Sequence, residues 1–336
     1  MFSLTEHIKN IIILMLLNCI IDGNYILSRL VFTLHKNNLL YGALSQSLEN
    51  SILNYKKFYP FTNVYLVSDS KERSWRKELH QNYKSNRKKD SDIDWSFVYK
   101  AYDEFKQNIK GVKLLEYPRI EGDDWIAFLV QKSNEKNKSN FIVSNDHDIK
   151  QLIGFNLENE WINFMSNEMY NQEKIFLPKN YQIFLNKISN KNNDDIFNLN
   201  DNTEFLSLMN RFVNKYQLNE IDNMESLITK IISGDTSDNI SSVYQSNKSG
   251  KVRGIGVKGA FSIYESYLSE FGEPSLSDPD LFENIADLIC EKKKVSKSNI
   301  SSIVDRIHEN MKLIDLRLGS FPDEIIQNME KVYNTI

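Results

Sequence analysis

Nine carboxylates stand out by where they fall: Asp22, Asp69, Glu121, Asp123, Asp124, Asp146, Asp148, Asp235 and Asp238. Asp146 and Asp148 leave an apolar run at i, i+2 spacing, so an extended backbone sets both on one side. Asp235 and Asp238, at i, i+3, share one face of a helical turn. Glu121-Gly122-Asp123-Asp124 opens a helical stretch, where acids also serve as caps. Asp22 and Asp124, each taken alone, read equally well as caps. Together, so many carboxylates on one rim repel one another unless a cation neutralises them. Magnesium or manganese, which prefer oxygen ligands, are the natural candidates. Two such ions about 4 Å apart clamp the attacking water and the leaving oxygen of a phosphodiester. Five scattered histidines form no nucleophile triad.

The cations are as unevenly placed as the acids. Trp75 to Lys89 carries six Lys or Arg against one Glu, with Trp75 and Tyr83 interleaved. Read as a helix, it sets Lys84 and Arg87 on one face, suited to phosphates, with aromatics available for stacking. Lys248 to Lys258 holds Lys248, Lys251, Arg253 and Lys258 with no acid. Its Gly254-Ile255-Gly256 allows backbone amides to approach a phosphate. Lys292 to Lys294 with Lys297 reads as solvated surface. An acidic rim with basic strips accounts for a formal net charge of only -4 and fits a nuclease better than a simple DNA-binding module.

The elements that must hold these groups are legible as apolar runs ending at acids. Cys19-Ile20-Ile21 stops at Asp22, Val64 to Ser68 at Asp69, and Phe141 to Ser144 shortly before Asp146. Short, unalternating β-branched runs are strands buried on both faces, as in a parallel sheet. Helical spacing marks Ser45 to Lys56, Trp95 to Ile109 and Trp125 to Val130 between them. The alternation predicts an α/β fold, with ligands outside the carboxyl ends of the strands. Beyond residue 200 the chain reads helical, at 204–216, 224–232, 260–271, 277–291 and 301–313. A Ser/Gly/Lys loop precedes the third of these. Lys187 to Asn202 reads as a flexible connection or exposed hairpin. With 12 Gly and 6 Pro in 336 residues, a turn-dense β-sandwich is excluded. Two cysteines build neither a disulfide framework nor a cysteine-based zinc site, which suits a reducing interior. The apolar stretch Ile11 to Ile21 is shorter than the ~20 residues of a membrane span, so no membrane association is expected.

Six segments then fall into a recognisable order: IIDGNY at 20–25, VSDSKERSWRKELHQNYKSNR at 67–87, EGDDWIA at 121–127, IVSNDHDIKQL at 142–152, ISGDTSDNISSV at 232–243 and RGIGVKGA at 253–260. In these the sequence resembles the 5′-nuclease, or flap endonuclease, superfamily, and among its members most closely the phage ribonucleases H of the T-even type. The resemblance implies a mostly parallel sheet flanked by helices with a helical arch, and a C-terminal helical region with a helix–three-turn–helix element. It implies a 5′-3′ exonuclease domain over 1–185 and a helical domain over 203–336. By motif position, Asp22, Asp69, Asp123 and Asp146 would surround a first magnesium ion. Asp148, Asp235 and Asp238 would serve a second, with Glu121 between the two and manganese as a substitute for magnesium. Lys84 and Arg87 match arch positions that steer the scissile phosphate. Tyr25 and Tyr83 would stack or position, each with core packing as an equal alternative. Arg76, Lys77, Tyr83, Lys84, Arg87, Arg253, Gly254, Gly256 and Lys258 would contact nucleic acid.

The implied activity is magnesium-dependent removal of RNA primers and 5′ flaps during replication, including ribonuclease H activity. Its substrates would be flapped or nicked DNA and RNA–DNA hybrids. A single-strand binding protein and a sliding clamp are implied partners. A phage source, a monomer and a place in the host cytoplasm complete the expectation. Two departures are visible. Gly122 stands where many members have Ala, and Lys251 stands where cellular members use a Ser in a potassium site, so potassium binding is not expected. The alternatives are a non-catalytic junction-binding protein that kept the fold, and a shorter metal-dependent ribonuclease of the PIN type. The segment Gly254 to Ala260 argues against the latter.

Overall fold

The computed structural model describes residues 17–58, 61–87, 90–167, 174–194, 217–248 and 251–336. By their contacts they form two units, and the chain passes back and forth between them. One comprises Met1–Glu72, Asp90–Ile221 and Asp323–Ile336; the other comprises Arg73–Lys89 and Asp222–Pro322. This interleaved division differs from the sequential one expected, 1–185 followed by 203–336. The reason is that the basic segment packs with the C-terminal helices, while the final helix returns to the sheet.

The first unit is built on strands β1 (Leu17–Asp22), β2 (Asn63–Val67), β3 (Lys113–Leu115), β4 (Ser139–Val143), β5 (Gly154–Asn156), β6 (Trp161–Ser166), β7 (Lys174–Pro178) and β8 (Gln217–Ile221). Among the described residues they make one sheet of order β3-β2-β1-β4-β6-β7-β8, with β5 paired to β6. The five strands from β3 to β6 are mutually parallel. β7 runs antiparallel to β6, and β8 parallel to β7. β1 and β4 are buried at every position, which is why their sequences do not alternate. Cys19 and Ile21 of β1, Leu66 of β2 and Phe141 of β4 enter a core with helices α1 (Gly23–Lys36), α2 (Leu40–Phe58) and α4 (Trp95–Asn108); α3 is Arg76–Leu79, in the other unit. Helix α5 (Gly122–Asn134) packs on β1, β2 and β4. Helix α6 is Tyr181–Asp194. It occupies part of the segment expected to be a loose connection, whose remainder lies outside the described residues.

Asparagines, three buried and Asn63 half-buried, fix the register of the parallel strands. Asn63, Asn18, Asn140 and Asn163 sit level with one another on β2, β1, β4 and β6. Asn63 donates to Asn18 at 2.9 Å, and Asn140 donates to Asn163 at 2.7 Å. A slip by one residue would leave these buried amides unpaired, a cost of about 1–3 kcal/mol each.

The second unit packs α7 (Asn223–Ser233), α8 (Val257–Phe271), α9 (Leu281–Lys293) and α10 (Ile300–Ile314) around Ile228, Ile232, Ile263, Ile289 and Ile307. Asp222 caps α7, accepting from the amides of Met224 and Glu225. Buried Asn310 of α10 donates to Ile231 O and Ser241 O, both at 2.9 Å, tying the loop after α7 to the bundle. The expected Ser/Gly/Lys loop contains a two-stranded ribbon, β9 (Gln245–Lys248) and β10 (Lys251–Gly254), before α8. The last helix, α11 (Asp323–Tyr333), belongs to the first unit. The helix expected over 204–216 lies outside the described residues. Among the described residues no helix is long and apolar enough to cross a membrane.

Candidate active site

The carboxyl ends of β1, β2 and β4 deliver three carboxylates to one place. Asp22 is the last residue of β1 and the cap of α1, its Oδ1 accepting from the Tyr25 amide at 2.9 Å. Its Oδ2 accepts from Ser144 Oγ, just beyond β4, at 2.7 Å. Ser144 Oγ in turn accepts from the Asp146 amide at 3.0 Å. Asp146 Oδ1 accepts from the Asp148 amide at 2.8 Å and so caps a short 3-10 turn over His147–Leu152. Asp69 Oδ1 accepts from the Gly122 amide at 2.7 Å, joining the end of β2 to the start of α5. Asp22 therefore acts as both a cap and a member of the cluster.

The electrostatics of the cluster are adverse in the metal-free protein. Burial pushes the Asp22 carboxyl up to about 6, against its hydrogen bonds from Tyr25 and Ser144 and with added repulsion from Asp69 and Asp146. A divalent cation would relieve that repulsion, and every donor in the cluster is a carboxylate oxygen. The residues thus fit a hard cation of the magnesium or manganese type. Glu121 caps α5 beside them and is buried, while Asp123 is half-buried. Asp124 is fully buried, and its Oδ2 accepts from the Glu121 amide at 3.0 Å. Its role is the helix cap.

Two residues that motif spacing does not single out shape this corner. A Cβ on Gly23 would lie 2.1 Å from the Tyr102 hydroxyl and 2.6 Å from Val67 O. The Tyr102 hydroxyl is 2.7 Å from Ser68 Oγ, so a side chain there cannot be accommodated by a small shift. Ser144 is the other; a serine two residues before an aspartate is the slight signal it leaves. Tyr25 is half-buried, and its hydroxyl donates to Asn167 O.

In the second unit, Asp235 and Asp238 lie in the loop after α7. Gly234 ends that helix with φ +69°, and Asp235 and Ile240 exchange backbone hydrogen bonds across the loop. Burial raises the Asp235 carboxyl, but the Lys230 ammonium at 2.7 Å and the Ser237 donors outweigh it and pull it to about 2. Asp238 is buried and pairs with Arg87.

The basic segment is not the continuous helix its sequence suggests. Only α3 is helical; Lys84 has φ +55°, in the left-handed region, which breaks the face that Lys84 and Arg87 would have shared. The segment is stitched to the loop after α7 instead. Lys84 N donates to Asp238 O at 2.9 Å, Asn86 Nδ2 to Thr236 O at 2.6 Å, and Asn239 Nδ2 to Asn82 O at 3.0 Å. Asn86 and Asn239 were invisible to charge patterning because both are neutral. Two expected nucleic-acid contacts are corrected. Arg76 is buried, donates to Leu313 O at 2.9 Å and lies 4.4 Å from the Trp75 ring. Tyr83 is buried in the helical core, with Lys84 Nζ 4.9 Å from its ring centre. Both hold the segment down. Lys77 is half-buried, and Arg253, Gly254, Gly256 and Lys258 are exposed.

Comparison with known proteins gives a consistent picture. Residues 18–184 match the 5′-3′ exonuclease N-terminal, resolvase-like domain. A 5′-3′ exonuclease of Buchnera aphidicola subsp. Schizaphis graminum is 31% identical over 169 residues, covering 46% of this chain and 54% of that protein. One from Mycoplasmopsis pulmonis is 29% identical over 157 residues, 46% of this chain and 52% of that one. The chain thus spans about half the length of these relatives. The ribonuclease H of Enterobacteria phage T4 is 29% identical over 109 residues, 30% of this chain and 35% of that one. In fold, a bacteriophage T5 5′-exonuclease solved with divalent zinc ions aligns with 95% of this chain and 98% of its own, at TM-score 0.57 and 15% identity.

Proposed function

This chain belongs to the 5′-nuclease, or flap endonuclease, superfamily, and from that membership we propose that it hydrolyses phosphodiesters as a structure-specific 5′-3′ exonuclease and flap endonuclease. The observation that carries the reading is the gathering of Asp22, Asp69 and Asp146 at the ends of three parallel strands, with Asp22 held well above the usual carboxylate range. The proposed substrates are flapped or nicked DNA and the RNA of RNA–DNA hybrids. Among the relatives are proteins named flap endonuclease and ribonuclease H, and a phage T5 flap endonuclease has been solved with DNA and metal ions. The proposal extends to two magnesium ions, replaceable by manganese. When bound, they supply an activated water and offset charge on the phosphate.

The chain's own residues hold that site ready. Tyr25 N and Ser144 Oγ fix both oxygens of Asp22, and Gly122 N fixes Asp69, so the carboxylates need little reordering to accept a cation. Glu121 and Asp123 would complete the first set. Asp148, Asp235 and Asp238 are proposed for the second ion on motif position alone. Lys84 would offset charge developing on the phosphate; Arg87 would do so only by leaving Asp238. Tyr25 is proposed as a positioning residue. Arg253, Gly254, Gly256 and Lys258 would meet duplex phosphates. A single-strand binding protein and a sliding clamp are proposed partners on the resemblance alone.

The test is cleavage of end-labelled 5′-flap DNA in magnesium, beside an RNA–DNA hybrid and a plain single strand, with Asp146→Asn as control. Short products released from the 5′ end and lost in the variant are expected. Tight flap binding without cleavage in magnesium or manganese would overturn the nuclease reading in favour of a junction-binding protein.

A further inference from the structure

The end of β6 carries no carboxylate, yet it is tied to the segment that bears Asp146. Ser144 N donates to Ser166 O at 3.1 Å, which continues the β4–β6 pairing one residue past the end of β4. Asn145 and Asn167 come next in the two segments, and Asn167 Nδ2 donates to Asn145 Oδ1 at 3.2 Å. The Asn167 amide has only one workable orientation. Its Oδ1 accepts from the Lys174 amide at 3.2 Å, and a backbone N–H can only donate, so Nδ2 is left for Asn145. The backbone of Asn167 is held as well. Its N–H donates to Lys174 O at 3.3 Å, and its carbonyl accepts from the Tyr25 hydroxyl.

These bonds close a ring around the site. It starts at Asp22 Oδ1, which accepts from the Tyr25 amide at 2.9 Å. It passes along Tyr25 to its hydroxyl, across Asn167 to Asn145, and back one residue to Ser144. Ser144 Oγ donates to Asp22 Oδ2 at 2.7 Å and completes it. Asp146 hangs from the ring, its amide donating to Ser144 Oγ at 3.0 Å. All these residues belong to the sheet unit. Asn145 is exposed and Asn167 half-buried, so neither is there to fill a core. A lone exposed amide pair gains little against water. A pair whose ends are already fixed by other bonds loses less freedom on forming. The ring also has work to do, because Asp146 repels Asp22 in the metal-free protein.

We propose that Asn145 and Asn167 are positioning residues of the carboxylate site: with the Tyr25 hydroxyl they close a hydrogen-bonded ring that holds Asp146 beside Asp22 before a cation arrives. Partners of this kind orient ligands without touching the metal. The inference rests on the reading of Asp22, Asp69 and Asp146 as a metal site.

The experiment measures the manganese affinity of the full chain without nucleic acid, from the spin-resonance signal of the free ion, with a melting temperature taken in chelator beside it. Asn145→Ala and Tyr25→Phe should each weaken binding on the order of tenfold. Because either change opens the same ring, the double variant should also stay near tenfold rather than reach about a hundredfold. Asn145 is exposed, so its variant should melt close to the parent. Unchanged manganese affinity in the folded variants would overturn the proposal, as would losses that multiply. So would a lower melting temperature with affinity intact, since the ring would then serve only the fold. A parent chain that binds no manganese would sink the metal-site reading and this inference together. Coupled losses in a parent that binds manganese yet cuts no flap would sink the nuclease reading and leave this one standing.

Discussion

Asp22 carries opposing demands in one side chain. It caps α1 through the Tyr25 amide, and it sits buried beside Asp69 and Asp146. Because burial and those neighbours lift its carboxyl to about 6, the folded metal-free protein keeps a proton that the unfolded chain loses near pH 4. The sign follows: between about pH 4 and pH 6 the folded state binds more protons, so stability falls as pH rises through that window. The shift of roughly two units corresponds to about 3 kcal/mol. Asp22→Asn should therefore make the metal-free protein more stable at pH 7 and nearly insensitive to pH across the window, while removing activity. Denaturant titrations in chelator at pH 4.5 and pH 7 check this; a variant less stable than the parent at pH 7 would contradict it. Asp22 itself was legible as an acid ending an apolar run. Its elevated proton affinity was not, because it arises from side chains brought together only by the parallel pairing of β1 with β2 and β4.

At the scale of elements, what positions the cluster is the meeting of the α1 start with the end of β2. Gly23→Ala should destabilise the protein by roughly 2 kcal/mol or more, since its Cβ would collide with Tyr102 Oη and with the backbone at Val67. Adding Tyr102→Phe should recover only part of the loss, because the Val67 contact remains; full recovery in a thermal melt would refute this account. Strands β1, β2 and β4 and helices α2, α4 and α5 could be read directly, because burial on both faces or on one helical stripe writes itself into residue type. The ribbon β9–β10 could not, since polar exposed strands leave no apolar period. The basic segment misled for a related reason. Its charges suggested a continuous helix facing phosphates, whereas Trp75, Arg76 and Tyr83 are buried anchors and Lys84 turns the chain. Arg76→Ala should thus cost stability, about 1.5–3 kcal/mol for a charged hydrogen bond lost in the interior, and leave the salt slope of duplex binding unchanged. A reduced slope at full stability would restore Arg76 to the nucleic-acid interface.

For the molecule as a whole, the chain joins its two units at residues 72–73, 89–90, 221–222 and 322–323. Neither unit is one continuous stretch, which motif order along the sequence could not reveal. Helix α11 rejoins the first unit after the second has been completed. Tyr333 packs edge-on against Phe128 of α5 with ring centres 5.6 Å apart, and Glu330 and Glu324 pair with Lys132 at 2.9 Å and Arg119 at 3.0 Å. Removing residues 323–336 should lower the stability of the sheet unit by several kcal/mol, chiefly through loss of the buried Ile325 and Met329 together with the Tyr333 ring contact, since its surface ion pairs contribute little. Hydrogen exchange would show lost protection in α5, and unchanged protection there would argue against the helix as a structural member. The same feature sets a timetable on the ribosome. The sheet unit is begun first but lacks its closing helix until every residue of the helical unit has been translated. A nascent chain therefore carries a sheet unit whose helix α5 has its outer face open until residues 323–333 emerge.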